Sequence, residues 1–356
     1  MGTGRRYPLA FRAAILRRSH APLSVETVIF DGPLREGQVL VRVHCTGICG
    51  KQIEEIDAAM GPDPWLPHML GHEGAGTVVD IGSGVTHVQI GDCVVMHWLK
   101  GPGIEAETPL YRVGAERINA GWITTFNEYA VVSENRLTTV PAGTDPASAA
   151  LFGCAASTGI GAVVNDAGIR PGQSLVVVGC GGVGLAAVQA AAAAGATPLI
   201  AVDSHAGRLR RASAFGATHA ATPAEAATAV RNATGGNGAA VVLVTAGSGV
   251  ALELGIACAA APGRVYMVGV PPADATVAVP ALDIHRGKTL TGSYGGGCHP
   301  DRDIPRFLAM AADGRFDAAG LIGMTVPLDD INRGIEAMRG PLIGRCIVDM
   351  RTGSGR

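Results

Sequence analysis

Three residues of metal-binding type stand among small neighbours in the first half of the chain: Cys49 in Gly47-Ile48-Cys49-Gly50, His72 in Gly71-His72-Glu73-Gly74, and Cys154 in Gly153-Cys154-Ala155. Two thiolates and one imidazole make the ligand set of a catalytic zinc, which keeps its fourth position open for water or substrate. Such an ion polarises an alcohol oxygen and lowers its pKa, easing hydride departure from the carbon that bears it. Taken singly, each residue is more often bland, since a buried cysteine usually acts as a small hydrophobe. The reading rests on the three together.

A second constellation lies past the middle of the chain. The apolar run Leu175 to Val178 leads into Gly179-Cys180-Gly181-Gly182-Val183-Gly184, a G-x-G-x-x-G pattern, and then into an Ala-rich stretch. Alone, the pattern is weak. Here a strand precedes it, a helix follows it, and a second strand, Leu199 to Val202, ends at Asp203, nineteen residues beyond the last glycine, which is the context of a dinucleotide site. Gly179 permits the tight turn, Gly181 lets backbone approach a pyrophosphate, and Gly184 lets helix pack on strand, while the helix N-terminus supplies amide donors. Asp203 would accept from both hydroxyls of an adenosine ribose and repel a 2′-phosphate, so NAD(H) is expected over NADP(H). Arg208 either lies beside that ribose or neutralises a phosphate.

These groups need elements to hold them. From Ser24 to Ile90 the sequence reads as short β-branched strands cut by Gly and Pro, including Gln38 to His44 and Gly76 to Ile81, with Asp92 to His97 just beyond; that is the texture of an antiparallel β domain. After Pro171-Gly172 apolar strands alternate with Ala-rich helices, the pattern of a parallel sheet covered on both faces. It breaks at Ser293-Tyr294-Gly295-Gly296-Gly297, where a domain boundary is expected. Two helices, around Ile304 to Ala312 and Ile331 to Met338, and a strand, Arg345 to Asp349, complete the chain. The fold class is α/β.

Composition agrees with two domains. The chain has 356 residues, 47% of them hydrophobic, and a formal charge of -2, which argues against nucleic acid or a membrane surface as the main partner. Arg5, Arg6 and Arg12 crowd the start too closely for a signal-peptide core, and no run is long and apolar enough to span a bilayer. Eight irregularly spaced cysteines do not read as a disulfide framework, so a reducing, cytoplasmic setting is expected.

Together these motifs resemble the zinc-containing alcohol dehydrogenases of the medium-chain dehydrogenase/reductase superfamily. The likeness covers nearly the whole chain: Gly47-Ile48-Cys49, the block from Gly71 to Val79 continuing to Gly91-Asp92, Gly153-Cys154 with Ser157-Thr158-Gly159, the Gly179 to Gly184 loop including Gly182 and Val183, and Val268-Gly269-Val270-Pro271. The resemblance implies a GroES-like catalytic domain, 1–155 and 295–356, split around a Rossmann NAD(H)-binding domain, 156–294. It also implies zinc held by Cys49, His72 and Cys154, with Glu73 as a neighbouring carboxylate or alternate ligand, Val268 and Val270 at the cofactor, and a homodimer or homotetramer.

Two departures from the family bear on chemistry. Many relatives carry four clustered cysteines for a structural zinc, whereas no cysteine occurs between Cys93 and Cys154 here; one catalytic zinc and no structural one is the expectation. The lobe from His97 to Phe126 instead carries Lys100, Glu105, Glu107, Arg112, Glu116 and Arg117, read either as solvated loop charges or as a polar rim. Trp98 falls at the family's aromatic pocket position, with His97 beside it as a possible substrate hydrogen bonder. The second departure is Cys49-Gly50-Lys51-Gln52, where the family usually has Cys-x-Ser/Thr-Asp. Lys51 stands where a hydroxyl relays the alcohol proton, with Glu54 or Glu55 as an outlet, and otherwise forms an ion pair with Glu54, Glu73 or a substrate anion; Gln52 replaces the carboxylate that orients the zinc-bound histidine.

The reading is an NAD(H)-dependent zinc dehydrogenase interconverting a secondary alcohol and a ketone on a polar substrate such as a polyol, sugar or cyclitol. One rival is a zinc-free reductase of the same superfamily acting on an activated C=C or C=O bond. Another, of a different class, is a non-catalytic NAD-binding protein.

Overall fold

The longest strand, Gln38–Ile48 (QVLVRVHCTGI), is covered along almost its whole length, as β-branched residues on both faces of a sandwiched strand require. It pairs antiparallel with Glu73–Ile81 on one side. On the other side its first half meets Tyr129–Ser133 and its last four residues meet Arg345–Asp349. Cys49 therefore leaves the sheet between the start of Glu73–Ile81 and the start of Arg345–Asp349. The protein is described here from a computed structural model over residues 7–340 and 342–352; Arg5 and Arg6 lie outside that range.

Two compact units divide the chain. The first runs to Cys154 and adds His299–Leu308 and the segment from Ile322 onward. It holds a seven-stranded sheet, in which Cys93–His97 and Leu137–Thr139 continue outward from Glu73–Ile81, and a five-stranded sheet built on Leu9–Leu16 and Ser24–Phe30. The charged lobe contributes a short hairpin to the latter, Tyr111–Val113 with Glu116–Ile118. Val41, Val43, Val78, Val94, Met96 and Phe126 lie in the larger core of this unit. Thus the antiparallel β domain is present as expected.

The second unit, Ala155–Cys298 with Ala309–Leu321, holds six parallel strands. From one edge they run His219–Ala221, Leu199–Val202, Leu175–Val178, Ala239–Val244, Ala259–Met267 and Thr289–Gly292. This is the doubly wound order whose direction reverses beside Leu175–Val178, the place where such sheets bind ligands. Helix Gly182–Ala193 is buried over most of its length. Its alanines suit that site, because helix Ala155–Gly161 crosses close enough that a Cβ on Gly159 would overlap the Val183 carbonyl.

The expected boundaries assigned everything from 295 onward to the catalytic domain, yet 309–321 goes with the parallel-sheet unit. The reason is local: the Gln189 amide accepts from the Asp317 N–H at 2.6 Å and donates to the Asp317 carbonyl at 3.1 Å. No single helix among the described residues is long and apolar enough to cross a membrane.

Candidate catalytic and dinucleotide sites

Cys49, His72 and Cys154 converge in the first unit, with one ligand atom from each lying within 4.8 Å of the others. Backbone geometry brings them there. Cys49 caps helix Gly50–Ile56, His72 immediately precedes strand Glu73–Ile81, and Cys154 follows a short turn at Leu151–Gly153. A Cβ on Gly153 would lie 2.8 Å from Glu73 Cα, and one on Gly47 would overlap the Glu73 carboxylate, so both glycines make room for the cluster.

The donor chemistry fits a thiophilic cation. Hydrogen bonding from Cys154, with the nearby Arg345 charge, holds Cys49 well below the ordinary thiol range despite burial, while Cys154 is pushed well up by the same bond and by burial. Two thiol sulfurs beside an imidazole bind a metal as it displaces their protons. His72 Nδ1 meets the Gln52 amide at 2.5 Å, and Nε2 is buried without a hydrogen-bond partner among the described residues. A buried ring nitrogen beside two sulfurs is a donor set that fits zinc.

Arg345 escaped the sequence reading except as the start of a strand. It is buried, donates from Nη2 to Cys49 Sγ at 3.4 Å, and lies 3.5 Å from the buried Glu73 carboxylate. A guanidinium there balances thiolate and carboxylate together, which a buried acid needs. The only local signal was a charged residue opening the apolar run Cys346-Ile347-Val348.

The other expected residues divide. Lys51 Nζ lies 2.9 Å from Glu54 Oε2, both side chains being about a third exposed; this is the ion pair that the sequence allowed. Trp98 follows strand Cys93–His97 and is partly buried, its carbonyl accepting from Arg136 at 2.5 Å. His97 is corrected as a substrate group. It is buried, with Nδ1 donating to the Leu99 carbonyl at 2.7 Å and Nε2 facing the Thr138 hydroxyl at 3.0 Å, so neither nitrogen is left for a ligand. In the lobe, Glu105 pairs with Lys100 and Arg136, Arg112 with Asp31, Glu107 with Arg35, and Glu116 with Arg17.

His97 yields a pH prediction. Burial pushes its pKa from 6.5 down to about 4, so neutral His97 contributes fully above the unfolded value and its contribution is lost as pH falls toward the folded one. The loss amounts to about 3 kcal/mol. Urea unfolding should show a steeper stability decline between those pH values in the wild type than in His97→Gln, and equal slopes would refute the assignment.

The dinucleotide loop shows the glycine roles in its geometry. Gly179 has φ +94°, and a Cβ there would press on the Ala246 amide. Gly181 caps helix Gly182–Ala193 with open space where its Cβ would be, and Gly184 has the Gly179 carbonyl where a Cβ would stand. Gly182 and Val183 form the helix's first turn. Asp203, buried, accepts from Cys180 N–H at 2.7 Å through Oδ2 and from His205 N–H at 2.8 Å through Oδ1. Each oxygen retains a further lone pair for a ribose hydroxyl. Arg208 Nη1 lies 3.9 Å from Oδ2. Val268 donates to the Val244 carbonyl at 2.8 Å just beyond strand Ala259–Met267, and Val270 is exposed.

A two-unit protein with a doubly wound nucleotide fold and a Cys-His-Cys cluster in its β unit is of the dehydrogenase class, and comparison with known proteins narrows this. Residues 35–142 match the model of the alcohol dehydrogenase GroES-like domain, and residues 182–313 that of the zinc-binding dehydrogenases. The chain is 34% identical to geraniol dehydrogenase of Castellaniella defragrans, across 92% of this chain and 95% of that one. Among solved structures, an alcohol dehydrogenase zinc-binding domain protein from Burkholderia ambifaria superposes with a TM-score of 0.89 at 31% identity, covering 96% of this chain and 99% of the other. Benzyl alcohol dehydrogenase from Acinetobacter calcoaceticus gives 0.86 at 27% identity, with coverage of 96% and 99%. The chain belongs to the zinc-containing alcohol dehydrogenase family of the medium-chain dehydrogenase/reductase superfamily, with its GroES-like and Rossmann folds.

Proposed function

We propose that the protein is a zinc-dependent, NAD(H)-linked alcohol dehydrogenase (EC 1.1.1.-) that interconverts a secondary alcohol and a ketone. The observation that carries this is the convergence of Cys49, His72 and Cys154. Cys49, His72 and Cys154 would hold a zinc ion, which would supply Lewis-acid polarisation of the alcohol oxygen, and the Gly179 to Gly184 loop with Asp203 would hold NAD(H), which would supply the hydride acceptor. The chain's own residues do the rest. Cys49, held toward its thiolate form, would supply negative charge to the metal, and the Arg345 guanidinium lies 3.5 Å from the Glu73 carboxylate beside it. The Lys51 ammonium gives a proton to the Glu54 carboxylate at 2.9 Å as its nitrogen accepts the alcohol's, leaving Lys51 charged and Glu54 protonated.

A polar substrate remains the reading on one ground: the partly exposed Lys51–Glu54 pair follows directly on ligand Cys49. The lobe does not support it, since most of its charges are paired within the β unit. Relatives named for geraniol and benzyl alcohol supply the contrast for a test. With NAD⁺ and zinc-replete protein, a polyol or cyclitol should give a higher kcat/KM than benzyl alcohol; the reverse order would replace the polar class with an apolar one, and no turnover of any alcohol would defeat the activity itself.

NAD(H) preference rests on Asp203. Replacing Asp203 with Ser should narrow or reverse the NAD over NADP preference, because Arg208 then faces a 2′-phosphate without a competing carboxylate. Steady-state kcat/KM with both cofactors measures this; equal turnover in the native protein would show that Arg208 already outweighs Asp203. A homodimer or homotetramer is part of the same reading, supported by the exposed edge strand Thr289–Gly292. So is a reducing, cytoplasmic setting, which the sparse and irregular spacing of the eight cysteines fits.

A further inference from the structure

Gln52 carries an inference that rests on the zinc reading. Its buried side chain bridges two groups: Oε1 accepts the Cys49 backbone N–H at 2.9 Å, and Nε2 lies 2.5 Å from His72 Nδ1. A backbone N–H can only donate, so it holds the amide with oxygen toward Cys49 and NH₂ toward the ring. An NH₂ can only donate too. Nδ1 must then accept, and a neutral imidazole accepting at Nδ1 carries its proton on Nε2. Nε2 is the nitrogen left for the two sulfurs, because Nδ1 is taken by Gln52, and a metal ligand must offer a lone pair there.

With Nε2 on a metal, the ring proton sits on Nδ1 and needs an acceptor. Gln52 has only one oxygen, and Cys49 holds it. We propose that Gln52 is a positioning residue that sets zinc affinity through this conflict. Metal loading turns its amide over, supplies His72 Nδ1–H with an acceptor, and gives up the Cys49 N–H bond that opens helix Gly50–Ile56. A carboxylate at the same place accepts at both ends and has no such conflict, and carboxylate support of a ligating histidine raises its basicity as well. The amide thus makes the site looser and couples metal occupancy to the first turn of the helix that carries Lys51.

The test uses the full-length protein, with zinc partitioned against a chromophoric chelator, for wild type, Gln52→Glu and Gln52→Leu. The isosteric Gln52→Glu should bind zinc about 10- to 100-fold more tightly, the size of effect such partners have. Gln52→Leu should bind more weakly than wild type, since it leaves Nδ1–H without an acceptor. Hydrogen exchange gives a second readout: the Cys49 amide should exchange faster on zinc loading in wild type and stay protected in Gln52→Glu. A Gln52→Glu affinity equal to or below wild type, or a Cys49 amide indifferent to zinc, would overturn the proposal while leaving the function standing. A wild type that binds no zinc would overturn both. Should Gln52→Leu fail to fold, Gln52→Glu alone decides.

Discussion

His72→Ala is expected to lower kcat/KM for alcohol oxidation by at least about 10³-fold, with zinc content falling toward zero. The size follows from what the ion supplies. Lewis-acid polarisation is worth several kcal/mol of transition-state stabilisation, and about 1.4 kcal/mol corresponds to a factor of ten. The ligand cluster lies in the β unit and the Gly179 to Gly184 loop in the other, so NADH binding, followed by fluorescence titration, should survive. Loss of both together would indicate unfolding, which circular dichroism distinguishes. A variant that loses its zinc and keeps its turnover would favour the zinc-free reductase.

Lys51→Ala is expected to cost about 10²- to 10⁴-fold in turnover, the usual share of general acid–base catalysis, with zinc content and NAD affinity near native. Lys51→Thr should recover part of that loss by restoring a hydroxyl. The two steady-state parameters separate the competing roles. A raised KM with kcat little changed would mean that Lys51 grips an anionic substrate group, the mark of lost uniform binding. If neither moves and stability drops instead, the pair with Glu54 at 2.9 Å is all that Lys51 contributes.

How far such residues could be read from sequence depended on how local their partners are. The dinucleotide site lies almost within one strand–loop–helix, and Gly179, Gly181 and Gly184 have the turn, open approach and tight packing that their spacing implies. The metal ligands come from three distant segments; glycine-rich flanks marked them because the cluster needs room beside Glu73. Arg345 was invisible for the opposite reason, since its partner Cys49 is 296 residues away. His97 was misjudged because adjacency to Trp98 says nothing about which neighbour strand its ring meets; Thr138 supplied that answer. Helix Gly249–Cys258 (GVALELGIAC) was missed because its apolar residues are not confined to one face. Helix Pro223–Ala233 was passed over as well, although the Thr222/Glu225 capping box marks its start.

The most direct measurement is elemental analysis of protein purified without chelator, joined to zinc-edge X-ray absorption on the same sample. The account predicts about one zinc per chain, in a shell of two sulfurs and one imidazole nitrogen completed by a light oxygen or nitrogen ligand, as Cys49, His72 and Cys154 supply. A value near two would contradict the reading of the lobe as metal-free. A value near zero in protein that still turns over alcohol with NAD⁺ would contradict the central claim.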